Sequence, residues 1–195
     1  MNDPSGDATR LNQTLARAAQ GDEESWRQIV LLYTNRVYGL IYRQCRDQDL
    51  AAEITQATFV QVVQRLGHYH EQGRFEPWLF RIAINRLRDE MRRRQRQARP
   101  MDMQPQEEGR PYIQQASPEP DPLERLSQAE QIHLLSQAMN QLGDADREIL
   151  HLRHTAGLSF AQIAQTLGQP LGTVLARGHR ALGKLRKIMT QADEP

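Results

Sequence analysis

The chain has 195 residues, with 25 Lys and Arg against 24 Asp and Glu, so its formal net charge is only +1; hydrophobic residues make up 38%. No apolar run approaches the ~20 residues a membrane helix needs, residues 1–10 lack the basic-then-apolar order of a signal peptide, and the single cysteine, Cys45, excludes an internal disulfide or a cysteine-based zinc site. These features predict a soluble, cytoplasmic chain of one or two small domains.

Helical periodicity starts early. Leu11, Leu15 and Ala18 mark a first short helix. Trp26, Ile29, Val30, Tyr33, Val37, Leu40 and Ile41 recur at spacings of three and four and mark a second. Leu50, Ile54, Ala57, Val62 and Leu66 mark a third. Trp78, Leu79, Ile82, Ala83 and Leu87 mark a fourth, which runs on into arginines. Gly21, Gly67, Gly73 and Pro77 sit at breaks and no alternating strand pattern persists, so the expected fold class is all-α.

The near-zero net charge hides an asymmetry. From Arg74 to Arg99 nine arginines face only Glu76, Asp89 and Glu90, a local charge of +6. Within that run Trp78, Leu79, Ile82 and Ala83 share an inward face, and Arg81, Asn85, Arg88 and Arg92 form a polar stripe opposite. Aromatic rings beside a cationic stripe suit unstacked single-stranded bases, which need π-faces to stack on and positive charge along their phosphates. For Trp78 alone core packing is the stronger reading; its combination with Asn85 and the arginines carries the nucleic-acid one.

Residues 100–122 hold six of the ten prolines and carry a charge of −4. Each proline removes a backbone donor and disfavours helix in the residue before it, so this stretch reads as a flexible linker. It divides the chain into an expected first domain at 9–99 and a second at 123–190. In the second, Leu126 to Leu142 and Asp146 to His154 read as helices, followed by two more short ones.

The most specific signal lies at residues 157–174. Ser159 with Gln162 three positions later is a capping box that starts a helix. Ile163, Ala164 and Leu167 form its buried stripe, and Gly168 suits the left-handed turn that ends it. Pro170 stands where a second helix begins, Val174 faces inward, and Arg177, Arg180, Lys184, Arg186 and Lys187 follow without an acid. This is the pattern of a helix-turn-helix whose second helix enters the major groove. Thr173, Arg177, Arg180 and Lys184 share one face of it. Gly178 and Gly183 each cost about 1 kcal/mol against Ala inside a helix, which predicts fraying of the recognition helix or its ordering on DNA.

With both motifs in view, the chain resembles the extracytoplasmic-function (ECF) sigma factors, the small bacterial members of the sigma-70 family with regions 2 and 4 only. Glu53-Ile54-Thr55-Gln56-Ala57-Thr58-Phe59 and Phe75 to Asn85 carry the region 2 likeness; Gly157 to Ala181 carries that of region 4. The resemblance implies that Asp49, Glu53, Gln56, Phe59, Val60 and Val63 dock on the clamp helices of the polymerase beta-prime subunit. It implies that Arg74, Phe75, Trp78, Arg81, Asn85, Arg88, Arg92 and Arg93 melt and capture the promoter −10 element, with base flipping as the physics. Thr173, Arg177, His179, Arg180 and Lys184 would bind the −35 element. Core RNA polymerase and promoter DNA, duplex and melted, are the implied partners; an anti-sigma factor is one the resemblance allows, and a membrane is not.

Where the family has a basic residue and then Ser, this chain has Leu175 and Ala176, and Ala57 stands for the usual Glu. His151 with His154, and His68 with His70, lack the companions of a zinc site. No phosphate loop, nucleophile or acid/base pair stands out, so no catalytic residue, metal or cofactor is expected. A helix-turn-helix regulator that works without polymerase is the rival reading.

Overall fold

The computed structural model describes residues 4–69, 74–97 and 122–192. These form eight helices: α1 (Pro4–Ala19), α2 (Glu23–Cys45), α3 (Gln48–Leu66), α4 (Phe75–Gln97), α5 (Pro122–Asn140), α6 (Asp144–His154), α7 (Phe160–Leu167) and α8 (Leu171–Ala192). No strand occurs among the described residues. The all-α expectation holds.

Local chemistry sets the helix boundaries. The Asp22 carboxylate accepts from the Ser25 backbone N–H at 3.0 Å and starts α2. Arg46 ends it in the left-handed conformation, φ 57°, with its N–H on the Tyr42 carbonyl. The next residue, Asp47, accepts from Leu50 N–H at 2.9 Å and starts α3, so two residues turn the chain. These hydrogen bonds hold both carboxyls below the ordinary aspartate range, with Ser25 the main cause for Asp22 and the Leu50 amide for Asp47.

Helices α1–α4 wrap a core that includes Leu15, Ile29, Val37, Leu40, Leu50, Val62, Leu79 and Phe80, all at most 3% exposed. Helices α5–α8 form a second unit with its own small cluster of Leu142, Leu150 and Ala181. Ile149, Leu152, Leu158, Ile163 and Val174 belong instead to one continuous buried cluster with the core of α1–α4. The two helical units are therefore packed together.

The expected linker lies outside the described residues except for Pro122, which opens α5 at a position where a missing N–H costs nothing. Of the two short helices expected at the end, α7 is short; α8 is not. It spans 22 residues and continues through Gly178 and Gly183. The expectation of fraying at these glycines is corrected by packing. A Cβ on Gly178 would stand 2.7 Å from the Phe160 ring and 3.6 Å from Ile149, so the bare backbone is what lets α8 cross α7 and α6 closely. The helix-turn-helix has the expected details. Ser159 and Gln162 exchange both capping-box hydrogen bonds, at 3.2 and 2.8 Å, and Gly168 is left-handed at φ 65°. Val174 is fully buried.

Candidate nucleic-acid interface

Three surfaces emerge from these elements. The first lies at the start of α4. Trp78 is half-buried and stacks on Tyr69 with ring centroids 4.6 Å apart and planes 25° from parallel. Tyr69, three residues beyond the end of α3, is a residue that the sequence reading missed, because it lies outside both motifs. Together with Arg74, Pro77 and Arg81 the two rings line a cleft of about 670 Å³. A flat aromatic pair beside two guanidinium groups is a surface on which a base can stack while its phosphate is neutralised.

Phe75 departs from its expected role. It is 2% exposed, its ring lying 5.4 Å from Tyr33 and 6.0 Å from Tyr69 in edge-on contacts. Such a side chain supports the Tyr69–Trp78 pair from beneath and does not present a face to a base.

The polar stripe of α4 is exposed: Arg81, Asn85, Arg88, Arg92 and Arg93 lie along the helix as expected. Several are paired. Glu90 receives Arg93 at 2.7 Å and Arg94 at 3.1 Å, and Arg94 also reaches Asp47 at 2.8 Å. Its hydrogen bond from Arg93 holds Glu90 below the usual glutamate range. Glu90 is largely covered while its two arginines are exposed, so a phosphate can compete with it for them. Arg81 and Arg88 differ, because their partners lie on the second unit. The Arg81 guanidinium donates to the carbonyls of Gln165 and, at 3.2 Å, Thr166 at the C-terminal end of α7. Arg88 stands 2.9 Å from both oxygens of Glu148 on α6.

The second surface is the outer face of α3. Asp49, Glu53, Gln56, Val60 and Val63 recur at spacings of four and three, so they share one face, and all are exposed; Phe59 beside them is half-buried. Val60 and Val63 are 49% and 53% exposed. Two apolar side chains held in solvent beside acidic and amide groups give this face a mixed character of the kind that protein partners cover.

The third surface is α8. Thr173, His179, Arg180 and Lys184 are exposed and Arg177 is half-buried. The His179 ring lies over Phe160 at 6.4 Å, and Lys184 is 3.5 Å from Asp146. Leu175 is half-buried and Ala176 exposed, so the positions lacking the family's polar groups lie on or near this surface.

No cluster of three or more metal-ligating side chains occurs among the described residues; His70 lies outside them. His151 is buried between the two helical units, with Arg43, Arg46 and Arg147 facing it. Burial first, and then these three guanidinium groups, push its pKa down to about 4. The ring is therefore neutral in the fold and takes a proton on unfolding. Its contribution to stability is intact above about pH 6.5 and is lost as pH falls toward 4. We expect acidification from pH 7.5 to 5 to remove roughly 2 kcal/mol through this group, read by urea denaturation at both pH values. Glu148 acts in the opposite sense, because burial raises its carboxyl above the ordinary range against the pull of Arg88. His151→Gln, compared with the parent at both pH values, isolates the histidine; an unchanged pH dependence would contradict the assignment.

Comparison with known proteins places both helical units in one family. The Sigma-70 region 2 model matches residues 29–97 and the Sigma-70 region 4 model residues 138–187. The ECF RNA polymerase sigma factor SigE of Mycolicibacterium smegmatis is 32% identical over 189 residues, covering 97% of this chain and 71% of that protein. The chain belongs to the ECF sigma factors of the sigma-70 family. The RNA polymerase sigma-H factor of Pseudomonas aeruginosa is 31% identical over 180 residues, 91% of this chain and 92% of that one. Among solved structures, CnrH in complex with the cytosolic domain of CnrY shares the fold, with TM-score 0.65 over 93% of this chain and 97% of CnrH at 23% identity. As an ECF sigma factor the protein binds core RNA polymerase and directs it to promoter DNA. Sigma factors are initiation factors rather than catalysts. The region 2 match spans α2 to α4 and so includes both the α3 face and the α4 stripe. That favours a polymerase-dependent factor over a regulator working alone.

Proposed function

We propose that the three surfaces divide the work of promoter recognition in the cytoplasm. The α3 face, through Asp49, Glu53, Gln56, Phe59, Val60 and Val63, docks on the clamp helices of the beta-prime subunit. Arg74, Trp78, Arg81, Asn85, Arg88, Arg92 and Arg93 hold the melted −10 element, with Tyr69 added as the second stacking ring. Thr173, Arg177, His179, Arg180 and Lys184 of α8 hold the −35 element, chiefly through phosphate contacts, because Leu175 and Ala176 bring no hydrogen-bonding group to a base edge. The working units are residues 9–99 and 123–190, with 100–122 as the tether. CnrH was solved with CnrY, and the sigma factor RpoE of Bartonella quintana, 20% identical with TM-score 0.62 over 86% of this chain and 98% of RpoE, with the anti-sigma factor NepR. An anti-sigma factor is accordingly a further proposed partner.

The observation that carries this reading is the Tyr69–Trp78 stack beside Arg74 and Arg81 on the unit whose α3 exposes Val60 and Val63. Base capture and enzyme docking thus share one rigid support. The test is abortive transcription with sigma-free core polymerase on a pool of promoter fragments. Addition of the protein is expected to confer defined start sites, and failure to do so overturns the proposal. Val60→Asp with Val63→Asp places charge in the presumed contact and is expected to weaken core binding at least tenfold, equivalent to about 1.4 kcal/mol. Native gel shift with core enzyme reads the loss, and unchanged thermal melting shows that the fold survives.

A further inference from the structure

The helix α8 carries an apolar strip at the end that a helix-turn-helix presents to base edges. Leu171, its first residue, is 45% exposed. Leu175 stands one turn further on the same side and is half-buried, and Ala176 next to it is exposed. Neither leucine serves the interior. The inward side of α8 is Val174, Ala181 and Leu185, and among the described residues Leu171 and Leu175 are part of neither buried cluster. Thr173, Arg177 and Arg180 run alongside, and Arg180 Nε donates to the Ala176 carbonyl at 3.4 Å. No acid occurs from Leu171 to Ile188.

Chemistry limits what this strip can meet. Leucine and alanine side chains form no hydrogen bonds, so they cannot read the donors and acceptors that mark guanine, adenine and cytosine. Thymine is the base whose major-groove edge carries an apolar group, its C5 methyl. Cations beside an apolar strip match a groove with phosphates along its rims and methyl groups on its floor. Length fits as well. Leu171 and Leu175 are separated by a rise of about 6 Å, close to two base-pair steps of about 3.4 Å.

We propose that Leu171, Leu175 and Ala176 read thymine methyl groups, so that α8 selects its −35 element by apolar contact on adjacent A·T pairs. This rests on the assignment of α8 to the −35 element and deepens it. Phosphate contacts through Arg177, Arg180 and Lys184 supply affinity, and the methyl contacts supply the choice of sequence. The two positions where the family has a basic residue and Ser have thereby exchanged hydrogen-bonded readout for apolar readout.

The test uses the holoenzyme formed with core polymerase and a fragment of the promoter pool on which it starts transcription. Each thymine of the −35 element is replaced by 2′-deoxyuridine, which deletes the methyl and keeps every phosphate and hydrogen-bonding group. Filter retention at low temperature reads duplex binding, and hydroxyl-radical footprinting reads protection of the −35 backbone. Each contacted methyl removed is expected to weaken retention about fourfold, roughly 15-fold for two, from the burial of one methyl-sized group apiece. The same replacement upstream of the element is expected to change nothing. In Leu175→Ala the thymine-to-deoxyuridine ratio at the contacted position is expected to fall to about one, a coupling that general loss of stability does not imitate. Equal retention of both fragments by the parent, with the −35 backbone still protected, overturns methyl reading and leaves the −35 assignment standing; a protein partner then becomes the occupant of the strip. A protected −35 element without thymine overturns it equally. Absence of any −35 footprint takes down the assignment of α8 and this proposal with it.

Discussion

Gly178→Leu is expected to destabilise the helix-turn-helix by about 2 kcal/mol or more, while Gly183→Leu on the same helix is expected to stabilise it slightly. Intrinsic propensity treats the two alike, because each replacement removes a flexible residue and gains nearly 1 kcal/mol of helix preference. Surroundings separate them. A Cβ on Gly178 would stand 2.7 Å from the Phe160 ring, whereas a Cβ on Gly183 meets nothing within 4 Å. A leucine at 178 must therefore push α7 away from α8 or displace the Phe160 ring, beside Arg153 and His179. Overpacking of this kind costs about 1–3 kcal/mol for a few extra methylenes, and leucine adds four carbons. Retention of duplex DNA by α8 is expected to fall with it, because the spacing between the two helices sets how the recognition helix is presented. Urea denaturation of both variants gives the answer. Equal behaviour would mean that α8 does not cross α7 at Gly178.

The same glycine shows what was legible in the sequence and what was not. Signals that act within one turn of helix were readable: the Ser159–Gln162 box, the left-handed Gly168 and the inward Val174 all depend on neighbours three or four residues away. Gly178 was misread as a weak point because its justification, the Phe160 ring, lies 18 positions upstream across a helix crossing. The α3 face was legible because its spacing puts Asp49, Glu53, Gln56, Val60 and Val63 on one side whatever they pack against. Periodicity could not sort Phe75 from Trp78. They lie three apart on one face of α4, and only the position of Tyr33 decides which ring is covered. Least legible was the seating of region 4. Arg36 reads as one more solvated arginine in a long helix, yet its acceptor is a carbonyl 120 residues away. Such a partner is fixed by tertiary packing of the whole chain.

Trp78 and Phe75 are expected to fail in different ways when each is cut to alanine. Phe75 is 2% exposed and in contact with Tyr33, Tyr69 and Trp78, so Phe75→Ala leaves a cavity beneath the stacked pair. The cost for a buried Phe is about 3–5 kcal/mol, about a fifth or more of the roughly 5–15 kcal/mol that holds a typical domain. Loss of activity in that variant should track loss of fold, with a lowered melting temperature. Trp78 is half-buried and contributes one face of the cleft. Trp78→Ala removes a stacking surface worth about 1–3 kcal/mol per base, which lowers promoter opening roughly 5- to 150-fold at 1.4 kcal/mol per decade. Duplex binding, which is proposed to rest on α8 and the exposed arginines, should change far less. Permanganate reactivity of −10 thymines in the polymerase complex reads opening, and filter retention on closed duplex at low temperature reads binding. Undiminished melting with Trp78→Ala would leave the ring a packing residue like its neighbour. A parallel fall in both readouts would point the same way, because a stacking platform acts only on the strand that has already separated.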